Sequence, residues 1–164
     1  MRNGDLVLRR GRSAESFAVL LLDKNRTYSH IGIVYIRNGI PYFIHVVHDQ
    51  PGLVRSDSPE EFLSDKNASH YTIVRSDFDP EKLNAAAAQA WSFYTRKLVF
   101  DEQYDLASDN KLYCTELVLK AFNNSGIFFP DMVPQKLKLL VGSYAVIMPG
   151  SFLANSHFTG IKAR

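Results

Sequence analysis

The 164-residue chain contains a single cysteine, so an internal disulfide is impossible and a cysteine-rich structural zinc site is excluded. No apolar run approaches the roughly 20 residues of a membrane span; the longest, near Phe17–Leu22, is far shorter. Neither sign of charge dominates: 19 Lys and Arg against 17 Asp and Glu leave +2. That is too little to point to nucleic acid or an anionic membrane as the main partner. A Gly-rich phosphate loop, a Ser-nucleophile elbow, internal repeats and Pro/Gly/Ser linkers are also missing. One domain over residues 1–164 with a single core is therefore expected, with no cofactor. Met1-Arg2-Asn3 leads straight into the strand-like Gly4-Asp5-Leu6-Val7-Leu8, without the apolar stretch of a secretory signal. The compartment is left open between the cytoplasm and, were a leader removed ahead of Met1, the bacterial cell envelope or periplasm.

What is present reads as strands first and helices second. Leu6–Arg9 and Tyr71–Val74 are short strands, and Ser16–Leu22 is apolar with a period that fits either element. His30–Arg37 and Ile40–Val47 flank Asn38-Gly39, a strong hairpin signal. Ser58-Pro59 opens a one-turn helix, Asp79-Pro80 opens a longer one reaching Lys97, and Thr115–Asn123 forms another that Gly126 ends. Tyr144–Met148 is expected as a returning strand. Strands, then helices, then a closing strand make an α+β pattern, with an antiparallel sheet packed against helices.

Cys114 lies where an extended segment gives way to an amphipathic helix, in Leu112-Tyr113-Cys114-Thr115-Glu116-Leu117. A thiol at a helix N-terminus sits at the positive end of the dipole, which favours the nucleophilic thiolate. Lone cysteines are also commonly small buried hydrophobes, so position alone does not decide. A cysteine nucleophile needs a base, and the base a group that orients it. With a two-residue loop at Asn38-Gly39, opposed residues sum to 77. His30 and His45 then share one sheet face as diagonal neighbours, whereas His48 falls on the other. A three-residue loop would make His48 the neighbour instead. The two-residue register also places Pro41 opposite Ile36, where its missing N–H costs nothing, and sets Gly32 opposite His45, where it leaves room.

Other chemistries are weaker. His30 and His45 could instead be a hydrogen-bonded structural pair. A zinc site from His30, His45 and Cys114 lacks a ligand-spacing motif, so no metal is expected. His70 and His157 read as surface residues, and the clusters Asp77/Asp79/Glu81 and Asp101/Glu102/Asp105 as caps and solvated faces. Glu116 suits the first turn of a helix, and Tyr28, Tyr104 and Tyr113 are candidates for lining a cleft.

His30 in "YSHIGIVY", Cys114 in "FDEQYDLASDNKLYCTELV", the opening "NGDLVLRRG" and the tail "IMPGSFLANSHF" together resemble the circularly permuted NlpC-type papain-like cysteine hydrolases of the YiiX/YebB-like group. The resemblance covers nearly the whole chain, and it implies a permuted papain-like fold and an amide-bond hydrolase. By position, Cys114 matches the nucleophile, His30 the general base and His45 the polar third residue, where relatives often carry a glutamate. Peptides of cell-wall type are the usual substrates of the wider superfamily, so a small peptide or amino-acid-containing substrate is expected. Two alternatives share the fold: a non-catalytic binding module for an amino acid, peptide or lipid fragment, and an acyl-lipid hydrolase or acyltransferase. The acyltransferase branch typically has an asparagine-cysteine-glutamate-histidine run, which Tyr113-Cys114-Thr115-Glu116 does not match. Specificity is expected to reside in the loops His48–Ser56 and Ser125–Lys138.

Overall fold

The computed structural model describes residues 1–48, 52–139 and 142–164. Strand β1 (Leu6–Gly11) leads into α1 (Ala14–Leu22), where the Ser13 hydroxyl accepts the Ser16 N–H and caps the helix. The cap settles as helix a stretch whose periodicity is ambiguous. β2 (His30–Arg37) and β3 (Ile40–Val46) follow, joined by Asn38 and Gly39 with φ of 52° and 78°, the two positive angles a type I′ turn requires. Arg37 faces Ile40 and Pro41 faces Ile36, so the two-residue register holds.

β4 (Val54–Asp57) then pairs antiparallel with β3. The sequence reading places a loop here. Four residues, three of them polar, carry too little period to announce a strand, and pairing with β3 is what orders them. Asp49, Gln50 and Pro51 of the expected specificity loop lie outside the described residues. α2 (Pro59–Phe62), capped by Ser58, is the expected one-turn helix, and β5 (Ala68–Ser76) runs longer than its apolar centre. α3 (Pro80–Thr95) starts at Asp79, whose carboxylate accepts the N–H groups of Glu81 and Lys82.

β6 (Val99–Phe100) and β7 (Lys111–Leu112) form a short parallel pair that delivers the chain to α4 (Cys114–Asn123), ended by Gly126 at φ 73°. β8 (Gln135–Leu139) and β9 (Gly142–Val146) make a separate hairpin, followed by α5 (Pro149–Ala154) and β10 (Phe158–Ala163). The closing strand of the main sheet is thus β10, not Tyr144–Met148. Pro149 starts a helix instead, and β10 buries only Phe158, which leaves little hydrophobic alternation to read.

The six-stranded sheet has the order β10-β5-β1-β2-β3-β4 with antiparallel pairs throughout. One face carries Leu6, Leu8, Ile31, Ile33, Ile44 and Val46 beneath α3 and α4, and the other packs Val7, Val34, Phe43 and Ile73 against Phe62 of α2. A third apolar cluster, Tyr113, Leu137, Val146 and Met148 with Val19 and Leu22 of α1, lies beside the start of α4. The architecture is the expected α+β arrangement of antiparallel sheet and helices.

Candidate active site

The register of the β2–β3 hairpin puts His30 and His45 on one face of the sheet, and their rings meet: His30 Nε2 lies 2.8 Å from His45 Nδ1. The far nitrogen of His45, Nε2, lies 2.9 Å from Asp57 Oδ2 on the neighbouring β4. Ionised Asp57 only accepts, so His45 donates through Nε2–H and its Nδ1 is a bare acceptor. His30 must then donate through Nε2–H, which leaves its Nδ1 lone pair available. The carboxylate therefore fixes the tautomers of both rings. Gly32 makes the approach possible, because a Cβ there would stand 3.2 Å from His45 Cβ and 3.0 Å from the Ile44 carbonyl oxygen.

The pair is enclosed. His45 is 1% exposed and His30 9%, and the Phe62 ring lies against both, with centroids 4.8 and 5.7 Å away. The Arg9 guanidinium stands 4.1 Å from the Phe62 ring centre and donates to the Phe62 carbonyl at 2.9 Å. Burial, then the charge of Arg9 and the proximity of His45, holds His30 well below its ordinary 6.5. Burial also lowers His45, against the opposing pull of Asp57. Asp57 is pushed up by its own burial, but the hydrogen bond and charge of His45 and the charges of Arg55 and Arg9 outweigh this and leave it below its usual value. Both imidazoles are thus neutral at pH 7.

Cys114 is the first residue of α4, and the helix start is clamped. Fully buried Glu116 accepts the Tyr113 N–H at 3.1 Å and stands 3.1 Å from Lys120 Nζ. The Thr115 hydroxyl donates to the Ile147 carbonyl at 2.6 Å, and the Ile147 N–H donates to the Tyr113 hydroxyl at 3.3 Å. The helix-end position predicts a lowered thiol, but the structure reverses it: burial pushes Cys114 up to about 11, ahead of the N–H groups of Ile31, Thr115 and Cys114 itself and the charge of Arg9. Loss of hydration outweighs the dipole, because a thiolate taken out of water forfeits more than a helix end returns.

Cys114 and His30 line one cavity of about 570 Å³, together with Tyr104 and Tyr113. Tyr28 is not among its walls and bonds with Thr72. His48 also borders the cavity but is exposed, stacks edge-on against Phe100 at 4.9 Å and faces Glu102 at 3.8 Å, apart from the His30–His45 pair. His70 and His157 are at the surface, His157 paired with Asp77 at 2.8 Å. Asp101 departs from the expected solvated face: it is 1% exposed and accepts the N–H groups of Gln103 and Asp105. Among the described residues, no three His, Cys, Asp or Glu side chains converge as metal ligands.

Sequence reasoning missed Asp57. Its only signal is the alternation Arg55-Ser56-Asp57, which gains meaning once β4 is paired so that Asp57 opposes Phe43 and shares a face with His45.

The profile of the family described as "permuted papain-like amidase enzyme, YaeF/YiiX, C92 family" matches residues 1–159. An uncharacterised YiiX protein of Escherichia coli (strain K12) is 28% identical over 127 residues, covering 76% of this chain and 58% of that protein. The chain thus spans just over half the length of that relative. A crystal structure of the metalloprotein YiiX from Escherichia coli O157:H7 superposes with a TM-score of 0.78 at 20% identity, over 99% of this chain and 97% of that one.

Proposed function

We propose that this chain, which belongs to the permuted papain-like amidases of the YaeF/YiiX family, hydrolyses amides with Cys114 as nucleophile, His30 as general base and His45 as the group that orients His30. The observation that carries the reading is the His30–His45–Asp57 chain of hydrogen bonds, which leaves the His30 Nδ1 lone pair available in a residue that shares its cavity with Cys114. A thiol raised to about 11 is protonated at rest, so attack and proton transfer to His30 go together rather than through a standing thiolate. The sulfur adds to the carbonyl carbon, the C–N bond breaks, and His30 returns the proton to the leaving amine. Water then attacks the thioester, giving its proton to His30, and the restored thiol departs from the acid. The Cys114 N–H, at the helix start, is the oxyanion donor in this reading, a role whose loss typically costs about 10²–10³ in turnover.

An ion does not fit between the two histidines of this site. His30 Nε2 and His45 Nδ1 face each other at hydrogen-bond distance, which leaves no space for an ion with two nitrogens at ~2.0–2.1 Å. A small peptide or amino-acid-containing amide, of which cell-wall peptides are one source, is the proposed substrate class. Cys114→Ala tests the reading: turnover of any such amide should vanish while the circular dichroism spectrum is kept. A surviving rate in that variant would refute the assignment.

A further inference from the structure

We infer that the outward face of α1 docks on a membrane surface rich in anionic headgroups. A helix on the outside of a domain ordinarily turns polar and charged side chains to water. In α1, Glu15 is the one charged residue among nine, and only Leu20 is buried. Val19 and Leu22 turn inward to the cavity. Ala14, Phe17 and Leu21, spaced by three and four, stay on the outside, with Phe17 62% and Leu21 56% exposed. Val133, 74% exposed, adds a third large apolar side chain near the helix end, because Gln135 donates to the Leu22 carbonyl at 2.6 Å. That end is held firmly: the Asp23 carboxylate accepts the N–H groups of Asn25 and Gly150, both at 2.9 Å.

The charge around this face identifies what covers it. Arg10 and Arg12 precede the Ser13 cap, Lys24 and Arg26 follow the helix, and Lys136 adjoins Gln135; all five are exposed. None of them forms an ion pair among the described residues. The exposed acids of the same segments are Glu15 and Asp131. Five cations against two acids thus border an apolar stripe, which the chain's net charge of +2 conceals because it ignores place. The core of a protein–protein interface is depleted of Lys. Apolar side chains on one helix face bordered by long cationic ones instead match a helix lying in the headgroup layer, where the stems lie along apolar matter and the charges reach phosphate. Ser16, Val19 and Leu22 on the inner side line the cavity that holds Cys114, so docking sets that cavity at the bilayer surface. The inference does not depend on the catalytic reading, and Cys114→Ala should dock as the native protein does.

The experiment is flotation of the intact protein with vesicles of phosphatidylcholine mixed with phosphatidylglycerol, and with vesicles of phosphatidylcholine alone. Binding should favour the anionic vesicles and weaken as salt is raised. Lys24→Gln combined with Arg26→Gln should weaken it about 25-fold, roughly fivefold for each cation near the surface. Phe17→Glu and Leu21→Glu, made separately at exposed positions, should each weaken it at least about tenfold. Ile40→Glu, exposed at the far end of the β2–β3 hairpin, should leave it unchanged. A polarity-sensitive dye on Leu21→Cys, in the Cys114→Ala background, should shift to the blue on anionic vesicles, and the same dye on Ile40→Cys should not. Absence of flotation with anionic vesicles overturns the inference, as does flotation that Phe17→Glu and Leu21→Glu leave intact. A blue shift that grows with protein concentration in vesicle-free buffer also overturns it, since a second copy of the chain would then be covering the helix.

Discussion

Asp57→Asn is the sharpest single test of the site, because the substitution keeps size and removes only charge and tautomer control. In the native protein, ionised Asp57 accepts from His45 Nε2 at 2.9 Å, and His45 Nδ1 accepts from His30 Nε2 at 2.8 Å. An asparagine can turn its NH₂ toward His45 Nε2. His45 then carries its proton on Nδ1 and donates to His30, whose own proton moves to Nδ1, where no lone pair remains for the thiol. A second loss is electrostatic. Two hydrogen bonds and one ring put the carboxylate roughly 8 Å from the charge that forms on His30, worth about 2 kcal/mol at an effective dielectric of about 20. That corresponds to about 30-fold in the acylation rate, and a direct carboxylate partner that fixes a tautomer is worth up to ~10⁴. Asp57→Asn should therefore slow the burst of an activated ester by about 30- to 1,000-fold. ¹⁵N chemical shifts should show the His45 proton moving from Nε2 to Nδ1. An unchanged burst with an unchanged His45 tautomer would mean that Asp57 is only a strand-edge residue and that the tautomer argument is wrong.

Three further outcomes follow from the same geometry. Gly32→Ala places a methyl 3.0 Å from the Ile44 carbonyl oxygen and 3.2 Å from His45 Cβ; the strands must part, at a cost of ~1–3 kcal/mol, read as a drop of about 3–10 °C in Tm with a fall in turnover. Stability against pH should show a plateau. His30 and His45, held below their ordinary 6.5 by burial, stay neutral in the fold while the unfolded chain takes up protons, so the pair loses stability as pH falls below about 6.5; Glu116, raised by burial from 4.5 to about 7, has the opposite sign and offsets part of that loss. Cys114, raised from 9.0 to about 11, is the mirror case: the unfolded thiol ionises first, so stability is lost between about 9 and 11, and Cys114→Ala should shrink that upper decline in Tm and leave the part owed to Tyr28, Tyr104 and Tyr113, which burial also raises. Iodoacetamide labelling of Cys114 should be slow at pH 7 and climb toward pH 11; a rate that has levelled off by pH 8 would show a thiolate already formed.

The parts of the site legible in the sequence are those fixed locally. Asn38-Gly39 sets a two-residue turn, the turn sets the register, and the register alone puts His30 beside His45. The Cys114 helix start is legible for the same reason, since an extended Leu112-Tyr113 breaks into amphipathic Thr115–Asn123. Asp57 was hidden because it depends on a strand that exists only through its partner: β4 has three polar residues in four, and β3 supplies its order. The thiol's raised pKa is not legible because a helix end is visible in sequence and burial is not: Ile147, which closes over the Cys114 segment, lies 34 positions from its partner Tyr113 and reaches it only through folding. β10 escaped because one buried residue, Phe158, anchors an otherwise exposed edge.

The exposed two-residue turn also makes parity a property of the active site. Every position of β3 is counted from Gly39, so a single residue inserted there has only two fates. If the loop absorbs it, the histidines keep their places. If the pairing absorbs it, β3 slips by one, His45 rotates into the apolar layer under α4, and Ile44 or Val46 takes its seat beside His30 and Asp57. A second insertion taken up by the pairing would restore the face but not the place: Phe43 would stand opposite Gly32, and His45 would lie roughly 7 Å along the strand. Descendants of this chain can therefore lengthen that turn at small cost to the site only where the loop absorbs every added residue, which makes an exposed hairpin tip a stricter record of catalytic selection than its exposure alone would suggest.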